Sequence, residues 1–322
     1  MPAVTVLMVT HRATPFLRPA IDSVWAQAWR DLELLLVDNG AGLDPDVLGE
    51  AGRDPRLRLL RLPANAGIPA GHNAGVAAAQ GEFIALLDHD DRMLPARLER
   101  QVEWLRQHRT AGLVGSRAET IDAAGRVTGA EFSLASAEEQ HRYLPYACPV
   151  VTPAYTGRRA VFAALPYRAE FPLAADFDFL ARASARYGLG AVPEVLLQYR
   201  RHAGQATVEH AAAIERQRCA IRLRTARRRA GRAEGPADFP GTGDSPAACC
   251  LACADQCRRE GFAVLAAYHA RRALSLERSA PMALRSAVRG LGAVAGASAT
   301  QRGPAWAMYR RGPVQALGLH PE

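Results

Sequence analysis

The chain has 322 residues and carries 40 basic against 32 acidic side chains, a net charge of +8 with histidine neutral. Every basic residue is arginine. The missing lysine excludes a phosphate-loop NTPase, whose GxxxxGK motif needs one, and a Schiff-base enzyme, whose nucleophile is a lysine amine.

The length predicts two domains. Nowhere do about 18 apolar residues run uncharged, so no membrane-spanning helix is predicted. The opening MPAVTVLMVTHR has neither the basic start nor the small-residue cleavage site of a secretory signal. It reads as the first buried strand of a cytoplasmic protein. Helical spacing of Leu17, Ile21, Val24 and Trp25 predicts a helix within 16–28. The near-continuous apolar run 32–37 predicts a parallel strand buried on both faces. Residues 57–62 make a third strand, 70–79 an alanine-rich helix, and 83–87 a fourth strand. A helix follows over 95–108, with Pro95 in its first turn. Alternating strands and helices predict an α/β fold with a mostly parallel sheet.

Past residue 110 the pattern changes to a strand, a turn at Ala124-Gly125 and a second strand. A helix is predicted from Asp176 to Tyr187, and EVLLQYRRH reads as a late strand. From Arg200 to Arg232 there are ten arginines against two acids, Glu209 and Glu215. This segment is either a solvated helix face or a surface for phosphate on an anionic lipid or a lipid-linked substrate. Nucleic acid is disfavoured, because few aromatics interleave to stack on bases. The Gly, Pro and Asp content of 235–246 predicts a linker, and two or three amphipathic helices follow within 247–293. Cys249, Cys250, Cys253 and Cys257 share one helical face, while Cys148 and Cys219 stand apart. The spacing C-C-x2-C-x3-C is not a regular zinc pattern. Buried core thiols are the expected reading, with a metal site as the alternative.

In an open parallel sheet, ligands bind at the carboxyl ends of the strands. Three polar clusters fall there: Thr10-His11-Arg12, Asp38-Asn39-Gly40 and Asp88-His89-Asp90-Asp91. Burying carboxylates costs several kcal/mol per ion unless they are paired, so the acids behind Ile84–Leu87 predict a cation partner. The segments SVWAQAWRDLELLLVDNG, NAGIPAGHNAG, LLDHDD, AADFDFLAR and YRRH follow in this order. With that ordered set, from about Val4 to about Thr207, the chain resembles the family 2 glycosyltransferases of the GT-A fold.

The resemblance implies an inverting enzyme that moves a sugar from a nucleotide-diphosphate donor to a hydroxyl acceptor, with Mn²⁺ or Mg²⁺ as cofactor. UDP is the default nucleotide. Asp90 would ligate the metal, Asp88 would face the ribose or the metal's water shell, and His202 would stand near metal or diphosphate. Asp38 would accept from the base, with Asn39 where a second aspartate is usual. An Asx-type turn built by DNG is the structural alternative. Thr10, with His11 and Arg12 beside it, would contact the nucleotide. His72 stands where many relatives have arginine, Asn73 and Gly75 match the pattern, and His89 is at most an outer contact. Asp176 is the implied general base, with Ala175 where the family has glutamate; Asp178 would fix its loop, and Asp91 would orient its loop or help hold the sugar, with capping of the following helix as the structural alternative. Arg200 or Arg201 could pair with the diphosphate.

The implied domains are a GT-A region over 1–207, an arginine-rich helical segment over 208–234, the linker, and a helical region over 247–322. Expected partners are the donor and a carbohydrate, lipid-linked or protein acceptor, with peripheral contact at the inner face of a membrane. A bacterial cell-surface polysaccharide or glycoconjugate is the expected product. The changes at Ala175 and His72 keep open a non-catalytic protein that binds nucleotide sugars or partners. A dehalogenase-like phosphatase also carries DxD after a strand, but on its first strand and with a later lysine, neither of which occurs here.

Overall fold

The computed structural model of the protein describes residues 1–44, 48–131, 137–144, 146, 148–235 and 245–276. They form two compact units, divided between His202 and Ala203, with residues 142–147 grouped with the second.

The first unit is built on one nine-stranded sheet. Its strands are β1 (Val4–Thr10), β2 (Leu32–Asn39), β3 (Leu57–Leu62), β4 (Phe83–Leu86), β5 (Arg92–Met93), β6 (Ala111–Ile121), β7 (Val127–Ala130), β8 (Thr156–Arg158) and β9 (Gly188–Arg200). The order across the sheet is β3-β2-β1-β4-β8-β6-β9-β5, with β7 on β6. The helices are α1 (Leu17–Trp25), α2 (Ile68–Ala78), α3 (Arg97–Gln107), α4 (Ala137–Tyr143), α5 (Arg159–Ala164) and α6 (Ala175–Ala183).

The left half, β3-β2-β1-β4, is parallel throughout. The edge strand β3 is half-buried, whereas β1, β2 and β4 are buried on both faces, every residue of β2 included. That is why they read as continuous rather than alternating. The right half departs from the expected parallel pattern. β8 is antiparallel to both β4 and β6, and β5 is antiparallel to β9. β8 has three residues and β5 two, too few to show a period. The strand predicted from EVLLQYRRH begins earlier, at Gly188, because β9 pairs in parallel with β6 from Ala111 onward. The α6 helix ends at Ala183, four residues before the predicted end.

α2 lies close on the sheet because its packed face is glycine. A Cβ at Gly75 would overlap Leu7 Cδ1 and come within 3.1 Å of Val37 Cγ2. Gly67, with φ of 85°, turns the chain into this helix.

The second unit contains α7 (Ala206–Glu209), α8 (Ala211–Arg229), α9 (Pro246–Arg259) and α10 (Ala263–Leu276). Ser245 caps α9 by accepting from the Ala248 N–H. The arginine-rich stretch is not simply a solvated face. Arg222 is buried and pairs with Glu215 at 2.7 Å. Arg227 pairs with Glu260 and Arg228 with Glu234. Most of the predicted linker, 236–244, and any helix past 276 lie outside the described residues. No described helix is long and apolar enough to cross a membrane.

Candidate active site

Register brings the polar clusters to one edge. Thr10 pairs opposite Asp38, and Leu7 opposite Leu86, so Asp88 leaves β4 beside the end of β1. Asp88, Asp90 and Asp91 each offer a carboxylate oxygen within 4.8 Å of the others. The turn closes with the Asp91 N–H donating to the Asp88 carbonyl at 3.2 Å.

Asp91 is buried. Its Oδ1 accepts from the Arg200 N–H at 2.8 Å, and its Oδ2 has no hydrogen-bond partner among the described residues. Burial, then Asp90 and Asp88, hold its carboxyl well above the usual range. Asp88 is exposed at the mouth of the cluster. Desolvation by the surrounding protein, with Asp90 and Asp176 nearby, pushes its carboxyl up to about 7, and Arg97 opposes the rise.

Arg97, in the first turn of α3, lies fully buried behind the acids. Its guanidinium donates to the Leu86 and Tyr155 carbonyls at 2.9 and 3.2 Å and to Gln101 Oε1 at 3.0 Å. Burial lowers it to about 9, against the pull of Asp91 and Asp88.

His202 follows β9 and brings Nε2 to 2.9 Å from Asp90 Oδ2, its ring 4.7 Å from that of Phe16. His89 is held below its ordinary value by burial; Asp90 opposes this, while Arg12, His11 and His202 add to it. These four residues and His89 therefore share one electrostatic neighbourhood.

Asp176, at the start of α6, accepts from the Thr152 hydroxyl at Oδ2 and from the Phe177 N–H at Oδ1, both at 2.7 Å. Its charge reaches Asp88, His72 and Tyr167. His72 is lowered mainly by burial, although the Ile68 carbonyl and Asp176 oppose this. Its Nδ1 lies 3.0 Å from the Ile68 carbonyl. A carbonyl only accepts, so Nδ1 carries the proton and the neutral ring keeps Nε2 as an acceptor. Such a ring carries no fixed positive charge. Ala175 is buried, and a glutamate there would need a partner of its own.

Several residues proposed for ligands are bound to the chain itself. Both oxygens of Asp38 hold the next loop. Oδ1 takes the N–H groups of Ala41 and Gly42 at 2.7 and 3.2 Å, and Oδ2 takes that of Leu43 at 2.8 Å. This is the Asx-type alternative. Asn39 ties β2 to the 65–67 loop, donating to the Gly67 carbonyl at 3.1 Å and accepting from the Ala66 N–H at 3.0 Å. The Thr10 hydroxyl donates to the Arg12 carbonyl at 2.7 Å. Asn73 brackets Tyr167, accepting from its N–H at 2.8 Å and donating to its carbonyl at 2.9 Å. Arg200 donates to the Asp90, Asp122 and Ala123 carbonyls, and Arg201 to Glu131. Asp178 takes Arg168 and Arg182 at 3.0 and 2.8 Å, which fits a loop-fixing role.

Arg97, Thr152 and Tyr167 were not foreseen. Arg97 resembles any charged residue of an amphipathic helix, and the other two lie in segments without a period.

The architecture and the acidic edge define a nucleotide-sugar transferase fold of GT-A type. The sequence matches the glycosyl transferase family 2 profile over residues 5–165, half of the chain, and the chain belongs to that family. An uncharacterized glycosyltransferase of Methanocaldococcus jannaschii is 28% identical over 206 residues, covering 62% of this chain and 71% of that protein. The succinoglycan biosynthesis protein ExoO of Rhizobium meliloti is 37% identical over 103 residues, 32% of this chain and 30% of its own length. Among solved structures, Staphylococcus aureus TarS 1–349 with UDP-GlcNAc aligns over 89% of this chain and 83% of its own, with TM-score 0.58 and 14% identity. The mannosyltransferase PcManGT of Pyrobaculum calidifontis, with GDP-Man and Mn²⁺, aligns over 96% and 83%, with TM-score 0.52 and 17% identity. At these identities the structural likeness concerns the fold.

Proposed function

We propose that the chain is a metal-dependent inverting glycosyltransferase, moving a sugar from a nucleotide diphosphate, UDP by preference, to a hydroxyl acceptor in the assembly of a cell-surface polysaccharide or glycoconjugate. The carrying observation is the gathering of Asp88, Asp90 and Asp91 within 4.8 Å at the strand edge, with Asp176 close enough to raise Asp88. The succinoglycan relative and the nucleotide sugars held by the structural neighbours support the reading.

The residues fit a divalent ion. Three carboxylates crowd together, and the buried Asp91 Oδ2 lacks a partner among the described residues. Oxygen donors suit Mg²⁺ and Mn²⁺, and an imidazole favours Mn²⁺. Asp90, Asp88 and His202 would hold it. When bound, such an ion neutralises charge on a departing diphosphate.

The chain's own groups do the rest. Asp176 would take the proton of the acceptor hydroxyl, with the Thr152 hydroxyl and the Phe177 N–H fixing its carboxylate. A base on the face opposite the leaving group gives inversion. His72 would accept from a donor hydroxyl through Nε2. Asp38, Asn39 and Thr10 would shape the nucleotide pocket through the loops they hold.

The test is nucleotide release from UDP- and GDP-sugars with and without Mn²⁺. Asp90→Ala is expected to abolish transfer. Asp176→Asn is expected to abolish turnover while keeping donor affinity. Intact transfer by Asp90→Ala sinks the metal assignment; donor binding without any turnover by the unaltered chain favours the non-catalytic reading.

A further inference from the structure

The second unit carries a cluster that the acidic edge does not use. Cys219 on α8, Cys250, Cys253 and Cys257 on α9, and His269 on α10 meet in its core, each 0% exposed. Cys219 Sγ lies 3.9 Å from Cys250 Sγ and 3.7 Å from His269 Nδ1. Cys253 Sγ lies 4.0 Å from Cys257 Sγ and 3.6 Å from the Cys219 carbonyl. The ligand atoms of Cys219, Cys250 and His269 all fall within 4.8 Å of one another, as do those of Cys253, Cys257 and His269. All six cysteines of the chain are free thiols.

Packed thiols alone would explain sulfurs near 4 Å. They do not explain the histidine. Its Nδ1 is the ring atom that faces the Cys219 sulfur, while its Nε2 is buried with no hydrogen-bond partner among the described residues, and leaving such a group unsatisfied costs about 1–3 kcal/mol. An apolar residue would fill that space without the cost. The separations also suit a tetrahedral ion: with metal–sulfur bonds of about 2.3 Å, the sulfurs stand about 3.8 Å apart. The Cys250 thiol donates to Glu215 Oε1 at 3.7 Å; its contact with Cys219, burial and the Glu215 carboxylate raise it, with Arg222 opposing, and burial raises Cys253, so a bound ion must itself displace the thiol protons.

We propose that Cys219, Cys250 and His269, whose ligand atoms lie within 4.8 Å of one another, hold a structural Zn²⁺ that ties α8, α9 and α10 together, with Cys253 of the adjoining Cys253–Cys257–His269 group moving in to complete the tetrahedron. Cys250 and Cys253 have the C-x2-C spacing of zinc sites. The pattern was obscured in the sequence because Cys249 and Cys257 flank this pair and the other two ligands come from different helices. Cys249 lies outside both groups. Four protein ligands leave no open position, so the site is structural rather than catalytic. Binding releases thiol protons and ties metal affinity to folding. The proposal does not depend on the glycosyltransferase reading.

The test uses the full-length chain, stripped of metal under reducing conditions and titrated with Co²⁺, then Zn²⁺. One equivalent of Co²⁺ is expected to give thiolate charge-transfer and tetrahedral d–d bands, and one equivalent of Zn²⁺ to erase them. The acidic edge holds no thiolate and cannot produce the charge-transfer band. Cys250→Ser and His269→Ala are expected to lose the tetrahedral signature; Cys148→Ser and Cys249→Ser are expected to keep it. Absence of the bands in the folded unaltered chain overturns the site, as does an unchanged spectrum in either ligand variant. Should those two variants fail to fold, the unaltered chain's titration decides.

Discussion

Replacing Asn73 by alanine separates a residue that touches the donor from one that holds the scaffold. Its side chain makes two hydrogen bonds to Tyr167, 94 residues away in sequence, at 2.8 and 2.9 Å. Alanine removes both and strands one N–H and one C=O. Each net bond contributes about 1 kcal/mol, and stranded groups add to the loss, so about 2–3 kcal/mol is expected. In a domain of this size that lowers Tm by about 4–12 °C. Asn73→Asp keeps the acceptor for the Tyr167 N–H and loses the donor, so roughly half the loss is expected. Because the Tyr167 ring lies 4.8 Å from that of His72, donor affinity should fall with stability. The assay is thermal unfolding of both variants without ligand, followed by donor titration. An unchanged Tm with weakened donor binding would refute the clamp and return Asn73 to the ligand.

Three further outcomes follow from the same geometry. Asp88 is raised to about 7, so between the ordinary carboxylate range and that value the native chain binds more protons than the unfolded chain. Stability then falls as pH rises through this window. A metal needs the carboxylate form, so the rise in Tm caused by Mn²⁺ should be larger at pH 8 than at pH 6; the reverse order would contradict the assignment. Gly75→Ala forces a methyl against Leu7 and Val37 and should cost about 1–3 kcal/mol, read by chemical denaturation; a neutral result would mean that α2 can lift off the sheet freely. His72→Arg should tighten binding of nucleoside diphosphate, because it puts a permanent charge where burial keeps the imidazole neutral. Isothermal titration with UDP would show it, and weaker binding would place His72 away from the phosphates.

The parts of the fold legible in sequence were those whose period survives in the chain. β1, β2 and β4 are buried on both faces and read as apolar runs, and the helices between them show the 3.6-residue spacing. The antiparallel insertions at β5 and β8 were illegible, because two or three residues have no period. The acidic edge was legible for a related reason. Asp88, Asp90 and Asp91 are close in the chain, and crowding three carboxylates behind an apolar strand, with Asp91 buried, has a cost that demands a partner. Arg97 and Thr152 gave no sign, since what marks them is burial against the acids or a hydroxyl aimed at Asp176, and both are facts of three dimensions.

The sequence by itself determined the α/β class, the family and the edge of the sheet where the acids gather, because each rests on local patterning or contiguous motifs. The tertiary structure alone decided how polar atoms are spent. It turned Asp38, Asn73 and Arg200 inward onto backbone groups, kept His72 neutral, and drew Cys219 and His269 to the cysteines of α9. A side chain's role depends on which partner satisfies it, and in a folded chain that partner comes most often from a distant segment.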